Sequence, residues 1–343
     1  LNWDKPRGFV ATFTKGDISI QGMVTSRKKG VPTGAFGVVF NDPSARTTDE
    51  RLFVESRYSH ALESDKNIMV RGYYDAYRYA GSYPYDNGLQ YDATHNRWLG
   101  GELQFRWDIG ADNRFTVGAE YRHNYVADYR LWNNDQTFYD QNFPFSVSSL
   151  YLQNELQVSE NVSLTLGMRG DKTSGYSATA TPRGAIVYNP VHAATLKLLY
   201  GEAFRAPNIY EVRYEDPTSR AKGNPGLKPE RIRTLEMVWE HRITDELFGT
   251  VSAYNYRVTD LIDQTIDPSD TMFVFENISN AETRGIEFEL GARTHLGLHG
   301  FVSYSFQDAE DGVSKQRLTN SPAHVAKLGL AYQASRHTSS SLL

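Results

Sequence analysis

The 343-residue sequence contains no cysteine, no long hydrophobic run and no surplus of basic charge. Without cysteine it cannot form a disulfide bond, a thiolate metal site or an iron–sulfur cluster, and it cannot use a catalytic thiol. The 36 basic and 41 acidic residues give a formal charge of −5, which argues against a nucleic-acid partner. No apolar stretch approaches the roughly 18–20 residues of a membrane helix, so a helical membrane protein is excluded.

The motifs of common enzyme classes are also missing. The chain has no G-x-S-x-G nucleophile elbow, no phosphate-binding P-loop and no H-E-x-x-H zinc motif. His295 and His299 are four positions apart, but on a strand this spacing separates them by roughly 13 Å, which is too far for one metal ion. We therefore predict no catalytic residues, no metal site and no cofactor, and we do not expect an enzyme.

The sequence does show apolar and polar residues alternating with a period of two. Residues 102–109, 162–169 and 286–291 are clear examples. Because successive side chains of a strand point to opposite faces, each segment has one apolar and one polar face. Two places are less regular: Asn154 falls on the apolar parity of its strand, and the faces of residues 247–256 cannot be assigned. The pattern predicts roughly fifteen strands and no long helix.

Strand length and loop length favour a membrane barrel over a soluble sandwich. The segments Asn67–Tyr79 and Arg97–Asp108 are about as long as the roughly 9–11 residues that cross a membrane core, whereas soluble strands usually have about 5–6. Connections alternate between short and long, with one exception of medium length at Lys172–Ala180, as in outer-membrane barrels with short periplasmic turns and long extracellular loops. Short turns are predicted at residues 15–17, 62–66, 108–113, 159–161, 189–192, 244–245 and 293–295. Long connections are predicted at residues 28–50, 80–96, 126–145, 203–230, 260–283 and 308–322.

Together with aromatic residues gathered at strand ends, these features predict an all-β fold. The predicted architecture is an antiparallel up-and-down transmembrane β-barrel.

Four segments then carry a family resemblance. They are LYGEAFRAPNIYE at Leu199–Glu211, GNPGLKPERIRTLE at Gly223–Glu236, NISNAETRGIEFEL at Asn277–Leu290 and LTNSPAHVAKLGLAY at Leu318–Tyr332. In this order they resemble the C-terminal half of the barrel of a TonB-dependent receptor. The resemblance implies a gated, energised transporter in the outer membrane of a Gram-negative bacterium, with a barrel of roughly 22 strands.

The resemblance also bears on the extent of the chain. Such receptors carry an N-terminal plug domain and a short box that engages TonB, and we find neither in residues 1–343. Roughly fifteen strands is an odd number, whereas bacterial single-chain barrels have even numbers. We therefore predict that residues 1–343 are an internal fragment of the barrel, without the plug, the first strands and the last strands.

The function implied by the resemblance is active uptake of a scarce ligand, most often a ferric siderophore. The implied partners are TonB, acting through the missing plug, outer-membrane lipid and lipopolysaccharide, and a ferric siderophore or similar small ligand. We expect a monomer and no nucleic acid. Two other functions remain open from the residues alone: a passive porin-like channel, and a soluble all-β adhesin or carbohydrate-binding module.

Candidate ligand-binding residues are loop aromatics and arginines, since rings stack on flat ligands and guanidinium groups pair with anionic oxygens. They are Tyr77, Arg78, Tyr79, Tyr83, Tyr85, Tyr129, Arg130, Trp132, Tyr139 and Arg205. A second set has polar parity and is expected to face the lumen and the plug. It comprises Arg71, Glu102, Arg106, Glu120, Arg122, Glu155, Arg169, Glu287 and Glu289. For the proline-rich motifs after Phe204, shaping the loop is favoured over binding the ligand.

Overall fold

The structure is a computed structural model that describes residues 2–216, 220–295, 297–335 and 338–342. In these ranges the chain forms eighteen strands, a 3₁₀ turn at Ala35–Gly37 and a short helix α1 at Ile209–Arg213. No helix of the described part is long and apolar enough to cross a membrane.

The strands are β1 (Asp4–Lys15), β2 (Ile18–Gly30), β3 (Arg46–Glu63), β4 (Lys66–Tyr85), β5 (Gly88–Ile109), β6 (Asn113–Asn133), β7 (Thr137–Asn142), β8 (Phe145–Ser159), β9 (Val162–Thr173), β10 (Thr179–Val191), β11 (Ala194–Arg205), β12 (Ala221–Lys222), β13 (Glu230–Arg242), β14 (Leu247–Ile266), β15 (Phe273–Arg293), β16 (Leu298–Asp311), β17 (His324–Ser335) and β18 (Thr338–Leu342). The eighteen strands exceed the roughly fifteen predicted: β7, β12 and β18 are short, and the other fifteen have at least 12 residues.

All long strands belong to one antiparallel sheet in which each pairs with the next long strand along the chain. Strand β7 pairs with the far end of β6, and β12 makes a short parallel pairing with β15. Within the described residues β1 pairs only with β2, and β18 pairs only with β17. The described sheet is therefore an up-and-down meander that is not closed.

In contrast to a soluble protein, this sheet exposes its apolar face, whereas its polar face carries buried charged groups. Large apolar side chains are exposed, as shown by Leu150 at 68%, Leu166 at 53% and Ile286 at 54% exposure. The carboxylate of Asp75, at 2% exposure, lies on the opposite, polar face and is bound by Arg51 at 2.5 Å. No second sheet covers the apolar face in the part of the chain that the structure describes. This agrees with the predicted wall of a membrane barrel, in which the apolar face meets lipid.

Six of the seven predicted short turns are confirmed, and the one predicted at residues 189–192 lies at 192–193 because β10 continues to Val191. Several predicted long connections are wrong. Strands β4 and β5 meet at a two-residue turn, so most of the predicted connection at residues 80–96 is a hydrogen-bonded hairpin. Most of the connections predicted at residues 126–145 and 260–283 also belongs to strands. Outside the membrane both faces of a strand meet water, so the ladder continues while the apolar–polar alternation that marks it in the sequence disappears.

The two irregular places have local explanations. Asn154 lies on the apolar face close to a short turn, where its side-chain amide donates to the Asn113 side chain at 2.5 Å. In β14, Ser252 pairs with Glu287 of the polar face, and Tyr254 and Tyr256 follow on the same parity. These two tyrosines stack with ring centroids 4.7 Å apart. Aromatic rings on the polar face therefore hid the alternation in this strand.

Candidate functional site

A network of ion pairs crosses the polar face from β4 to β9. Arg71 contacts Glu102 at 2.8 Å and Glu120 at 3.2 Å, and Arg169 contacts Glu120 at 3.2 Å and Asp171 at 2.9 Å. Arg71 and Glu120 lie on strands separated by β5, so their side chains reach across an intervening strand. The network joins several strands of the wall and pairs each of its two guanidinium groups with carboxylates.

All nine residues predicted for the lumen face lie on this polar face. Arg106 is near Asp108 at 3.8 Å, and Glu155 is near Arg114 at 3.8 Å. In β15, Glu287 pairs in register with Ser252 and Glu289 with Thr250, and Glu287 accepts a hydrogen bond from the Ser305 hydroxyl at 3.3 Å. The guanidinium of Arg122 lies 6.0 Å from the Trp98 ring, and its buried Nε has no hydrogen-bond partner in the described residues.

Tyrosines and two aspartates occupy the polar face at the end of the sheet opposite the short turns. The Tyr77 hydroxyl donates to Asp49 at 2.6 Å, the Tyr79 and Tyr83 hydroxyls share a hydrogen bond, and Tyr129 donates to Asp92 at 2.8 Å. Burial raises the pKa of the Asp92 carboxyl above its usual range, and the tyrosine donors oppose this shift. Burial and the nearby Asp92 carboxylate also raise the pKa of Tyr129. Tyr85, on the same parity of β4, belongs to this region.

The segment between β11 and β13 is fixed by a set of charged contacts. Arg205 binds both carboxylate oxygens of Glu211 at 2.9 and 3.0 Å, and it binds Glu230 at 2.5 Å. Asn208 caps α1, because its side chain accepts from the Glu211 backbone N–H while the Glu211 carboxylate accepts from the Asn208 N–H. Arg205 therefore has a structural role in holding this loop.

Four tyrosine rings join α1 to the β6–β7 hairpin. The Tyr214 ring lies 4.5 Å from the Tyr129 ring, 4.5 Å from the Tyr210 ring and 5.8 Å from the Tyr139 ring, measured between centroids. The Tyr139 hydroxyl donates to the backbone carbonyl of Arg213. The loop carrying α1 thus packs against strands far from it in the sequence.

An open cavity of about 980 Å³ lies between this loop and the sheet wall. Its aromatic lining includes Tyr129, Tyr210 and Phe143. Two guanidinium groups also line it: Arg122 from β6, and Arg213, which lies 5.6 Å from the Phe143 ring. Neither arginine forms an ion pair with a carboxylate of the described residues. The cavity therefore combines apolar rings with two guanidinium groups, and its lining also includes the Asp128 carboxylate, which contacts His95 at 3.0 Å.

Three predicted ligand-binding residues lie on the apolar side of the sheet instead. Arg78 is paired with Glu50 at 3.5 Å, and Arg130 is paired with Asp140 at 3.4 Å. Trp132 stacks on Tyr91 at 5.6 Å between ring centroids. Of the predicted ligand-binding residues, only Tyr129 lines the cavity; Arg122, predicted for the lumen face, lines it as well, and Tyr210 and Arg213 were not predicted. Tyr210 stands inside the FRAPNIYE motif, where a loop-shaping role was expected.

Two aspartates in the connection between β14 and β15 accept hydrogen bonds from a lysine of β12. Asp267 and Asp270 both accept from the Lys222 ammonium at 2.6 Å. In the ranges that the structure describes, no group of three or more histidine, aspartate or glutamate side chains is arranged to hold a metal ion.

Comparison with known proteins identifies the family. The family model described as TonB dependent receptor-like, beta-barrel, matches residues 2–340. The chain belongs to the TonB-dependent receptor family. Members of this family are proteins of the Gram-negative outer membrane, so the apolar face meets lipid and the short turns lie on the periplasmic side.

Individual relatives differ in what they bind. The chain is 27% identical over 251 residues to the vitamin B12 transporter BtuB of Photobacterium profundum, covering 71% of this chain and 36% of the transporter. It is 22% identical over 250 residues to the ferric-pyoverdine 358 receptor of Pseudomonas putida, covering 72% of this chain and 25% of the receptor. The sheet also resembles the siderophore receptor PirA from Acinetobacter baumannii, with a TM-score of 0.74 at 15% identity. That match covers 97% of this chain and 56% of PirA. The matches therefore span about a third of the length of the BtuB transporter and a quarter of the length of the ferric-pyoverdine receptor.

Proposed function

We propose that the protein is an outer-membrane receptor-transporter that takes up a scarce anionic ligand, with a ferric siderophore as the leading candidate. The chain supplies part of the barrel wall and an extracellular binding cavity. The unclosed sheet, together with the partial coverage of relatives, supports a larger barrel of which residues 1–343 are an internal portion.

The observation that carries this proposal is the pair of unneutralised arginines in the aromatic cavity. Two other arginines of the polar face, Arg71 and Arg169, are matched by carboxylates. Arg122 and Arg213 lack such partners while lining a space of about 980 Å³, large enough for a small metal chelate. Guanidinium groups pair well with carboxylate or catecholate oxygens, and the surrounding rings stack on planar ligand groups.

The polar network around Arg71 and Glu120 has a separate proposed role. It would face the plug domain of a complete receptor, where its carboxylates and guanidinium groups offer reversible hydrogen bonds. TonB would then act through the plug to open a path for the bound ligand. This arrangement separates ligand capture at the extracellular cavity from energised passage along the polar face.

The ligand assignment is tested by growth and by binding. A deletion strain is grown on a panel of ferric siderophores and, separately, under conditions that require cyanocobalamin uptake. We expect loss of growth on one ferric siderophore, and affinity of the purified protein for that chelate reduced about tenfold or more by Arg213→Gln or Arg122→Gln. Arg284→Gln is the matched control, because Arg284 is paired with Asp308 at 3.3 Å on the apolar side of the sheet.

Two results would reject the siderophore assignment. Unimpaired growth on every iron source combined with a loss of cyanocobalamin uptake would point to the ligand of the B12 relative. An equal loss of affinity in the Arg284 control would show that the cavity arginines act only through general surface charge. Passage of unrelated small solutes through the protein without TonB would favour a passive channel.

A further inference from the structure

A buried carboxylate without a cationic partner lies on the polar face at the extracellular end of the sheet. Three other buried carboxylates are each bound by an arginine: Asp75 by Arg51 at 2.5 Å, Asp171 by Arg169 at 2.9 Å and Glu211 by Arg205 at 2.9 Å. Asp92 is also buried, at 9% exposure, and no lysine or arginine of the described residues forms an ion pair with it. Because an uncompensated buried charge is costly, the folded protein must either protonate Asp92 or bind a cation there.

The groups that surround this carboxylate are phenol oxygens. The Tyr129 hydroxyl lies 2.8 Å from the Asp92 Oδ2 atom. The Tyr83 hydroxyl interacts with the same carboxylate and shares a hydrogen bond with the Tyr79 hydroxyl. We call these four side chains the phenol cluster: Tyr79, Tyr83, Asp92 and Tyr129. Three strands, β4, β5 and β6, thus bring three phenol oxygens and one carboxylate together.

A glycine leaves the space in which these oxygens meet. Gly81 lies between Tyr79 and Tyr83 on β4 and pairs in register with Asp92. A Cβ atom on Gly81 would stand 2.3 Å from Asp92 Oδ1 and 2.5 Å from the Tyr83 hydroxyl oxygen, so the two oxygens converge beside this glycine. The Oδ1 atom is shielded from solvent and has no hydrogen-bond partner of normal geometry in the described residues. The phenol cluster therefore contains a buried acceptor that is aimed at its centre and is not satisfied by the protein.

The donor set suits a hard ion of high charge. It offers only oxygen, with no imidazole nitrogen and no sulfur, which disfavours copper, nickel and zinc. A trivalent ion can replace phenol protons, whereas neutral phenols are weak ligands for Ca²⁺ or Mg²⁺. If two tyrosine O–H bonds break, two protons pass to solvent and two oxygen–iron bonds form. The two phenolates and the carboxylate then balance the three charges of Fe³⁺, and no electron is transferred.

We propose that the phenol cluster is a binding site for a ferric ion held directly by protein oxygens. The three tyrosines are only partly buried, which gives the ion access from the extracellular side. Of the four residues, only Tyr129 also lines the ligand cavity. The site takes the metal itself, so it does not depend on which chelate or other ligand the receptor transports.

The test measures iron binding by the full-length receptor purified in detergent from the outer membrane of its host. Protein freed of metal with EDTA is titrated with ferric nitrilotriacetate, and the visible charge-transfer absorption of phenolate bound to iron is recorded. We expect this absorption to appear and to saturate at one ferric ion per chain. Tyr83→Phe, which removes one oxygen and keeps the ring, should weaken binding about tenfold or more, as should Asp92→Asn.

Two matched controls separate the site from its surroundings. Gly81→Ala fills the space between the oxygens without removing a ligand atom and should abolish the absorption, whereas Gly72→Ala on the same strand should keep it, because nothing lies within 4 Å of a Cβ there. Tyr91→Phe should also keep it. Tyr91 is adjacent to Asp92 but points to the other face of the sheet, where its ring stacks on Trp132.

The proposal fails if the unmodified receptor shows no charge-transfer absorption, or if the absorption and affinity are unchanged in Tyr83→Phe and Asp92→Asn. Displacement of the iron by an equal concentration of Ca²⁺ would show a general cation site and would also overturn it. Folding of each variant is checked by heat-dependent migration in electrophoresis. If Gly81→Ala does not fold, Tyr83→Phe and Asp92→Asn decide the question, since both keep the size of the side chain.

Discussion

Arg205 binds the Glu211 carboxylate through two hydrogen bonds of 2.9 and 3.0 Å, and this pair connects the end of β11 to helix α1. Glu211 is only 7% exposed, so its charge depends on the guanidinium for compensation. The same arginine also holds Glu230 at the start of β13. A single side chain thus fixes both ends of the loop that covers the cavity.

Replacing Arg205 alone should loosen this loop without unfolding the sheet. We expect Arg205→Gln to leave the Glu211 carboxylate buried and unpaired, at a cost of about 1–3 kcal/mol in the loop. Limited proteolysis of intact cells should then cut between β11 and β13. The double variant Arg205→Gln/Glu211→Gln is the control, since a glutamine still caps α1 but carries no charge. Cleavage of the double variant at the rate of the single variant would contradict this role for the ion pair.

A glycine under an aromatic ring gives a second prediction. Tyr73 lies across Gly100 on the polar face, and a Cβ atom at Gly100 would overlap the tyrosine ring. We expect Gly100→Ala to displace Tyr73 from its 2.9 Å hydrogen bond to Glu120 and to destabilise the sheet by about 1–3 kcal/mol. Urea-induced unfolding in lipid vesicles measures the change. Gly72→Ala is the matched control, because nothing lies within 4 Å of a Cβ there; equal effects at both positions would refute the explanation.

The buried Asp92 carboxyl predicts a dependence of local stability on pH. Its pKa is raised chiefly by burial, so the charged form is penalised in the folded state, and protonation removes this penalty. Stability at the extracellular end should therefore increase as the pH falls from about 7 toward the ordinary carboxyl pKa near 4. Hydrogen exchange in β4–β6, corrected for intrinsic rates, should be slower at about pH 5 than at about pH 7.

The control for this effect is Asp92→Asn, which keeps the size of the side chain and removes its charge. The variant should show the same exchange in this region at both pH values. A pH dependence that persists in Asp92→Asn would assign the effect to another group.

The sequence predicts the facing of the membrane segments well because the physical cause is strictly periodic. Between Val162 and Met168, every second residue must meet lipid, and the alternation records this requirement directly. The same cause explains the failure beyond the membrane. At Tyr83 or Asp92 the requirement no longer applies, so hydrogen-bonded strands were predicted as loops.

The cavity could be predicted only in part. Tyr139 contacts Arg213 across 74 positions of sequence, and this contact depends on how the loop after β11 folds back toward the β6–β7 hairpin. Neither residue carries a local pattern that records this arrangement. Tyr129 points to the opposite face of the sheet from Arg130 and Trp132. The sequence alone does not predict which face, because a bulge near Asn124 shifts the alternation of side chains in β6.

The central claim is that the exposed apolar face of the sheet meets lipid and that the polar face lines the interior. Leu166 and Thr165 are adjacent on β9 and point to opposite faces. We predict that Leu166→Arg makes membrane insertion less favourable by about 2–4 kcal/mol near the midplane, whereas Thr165→Arg is tolerated. Folding into lipid vesicles under a urea gradient measures both variants. Equal destabilisation by the two substitutions would contradict the account.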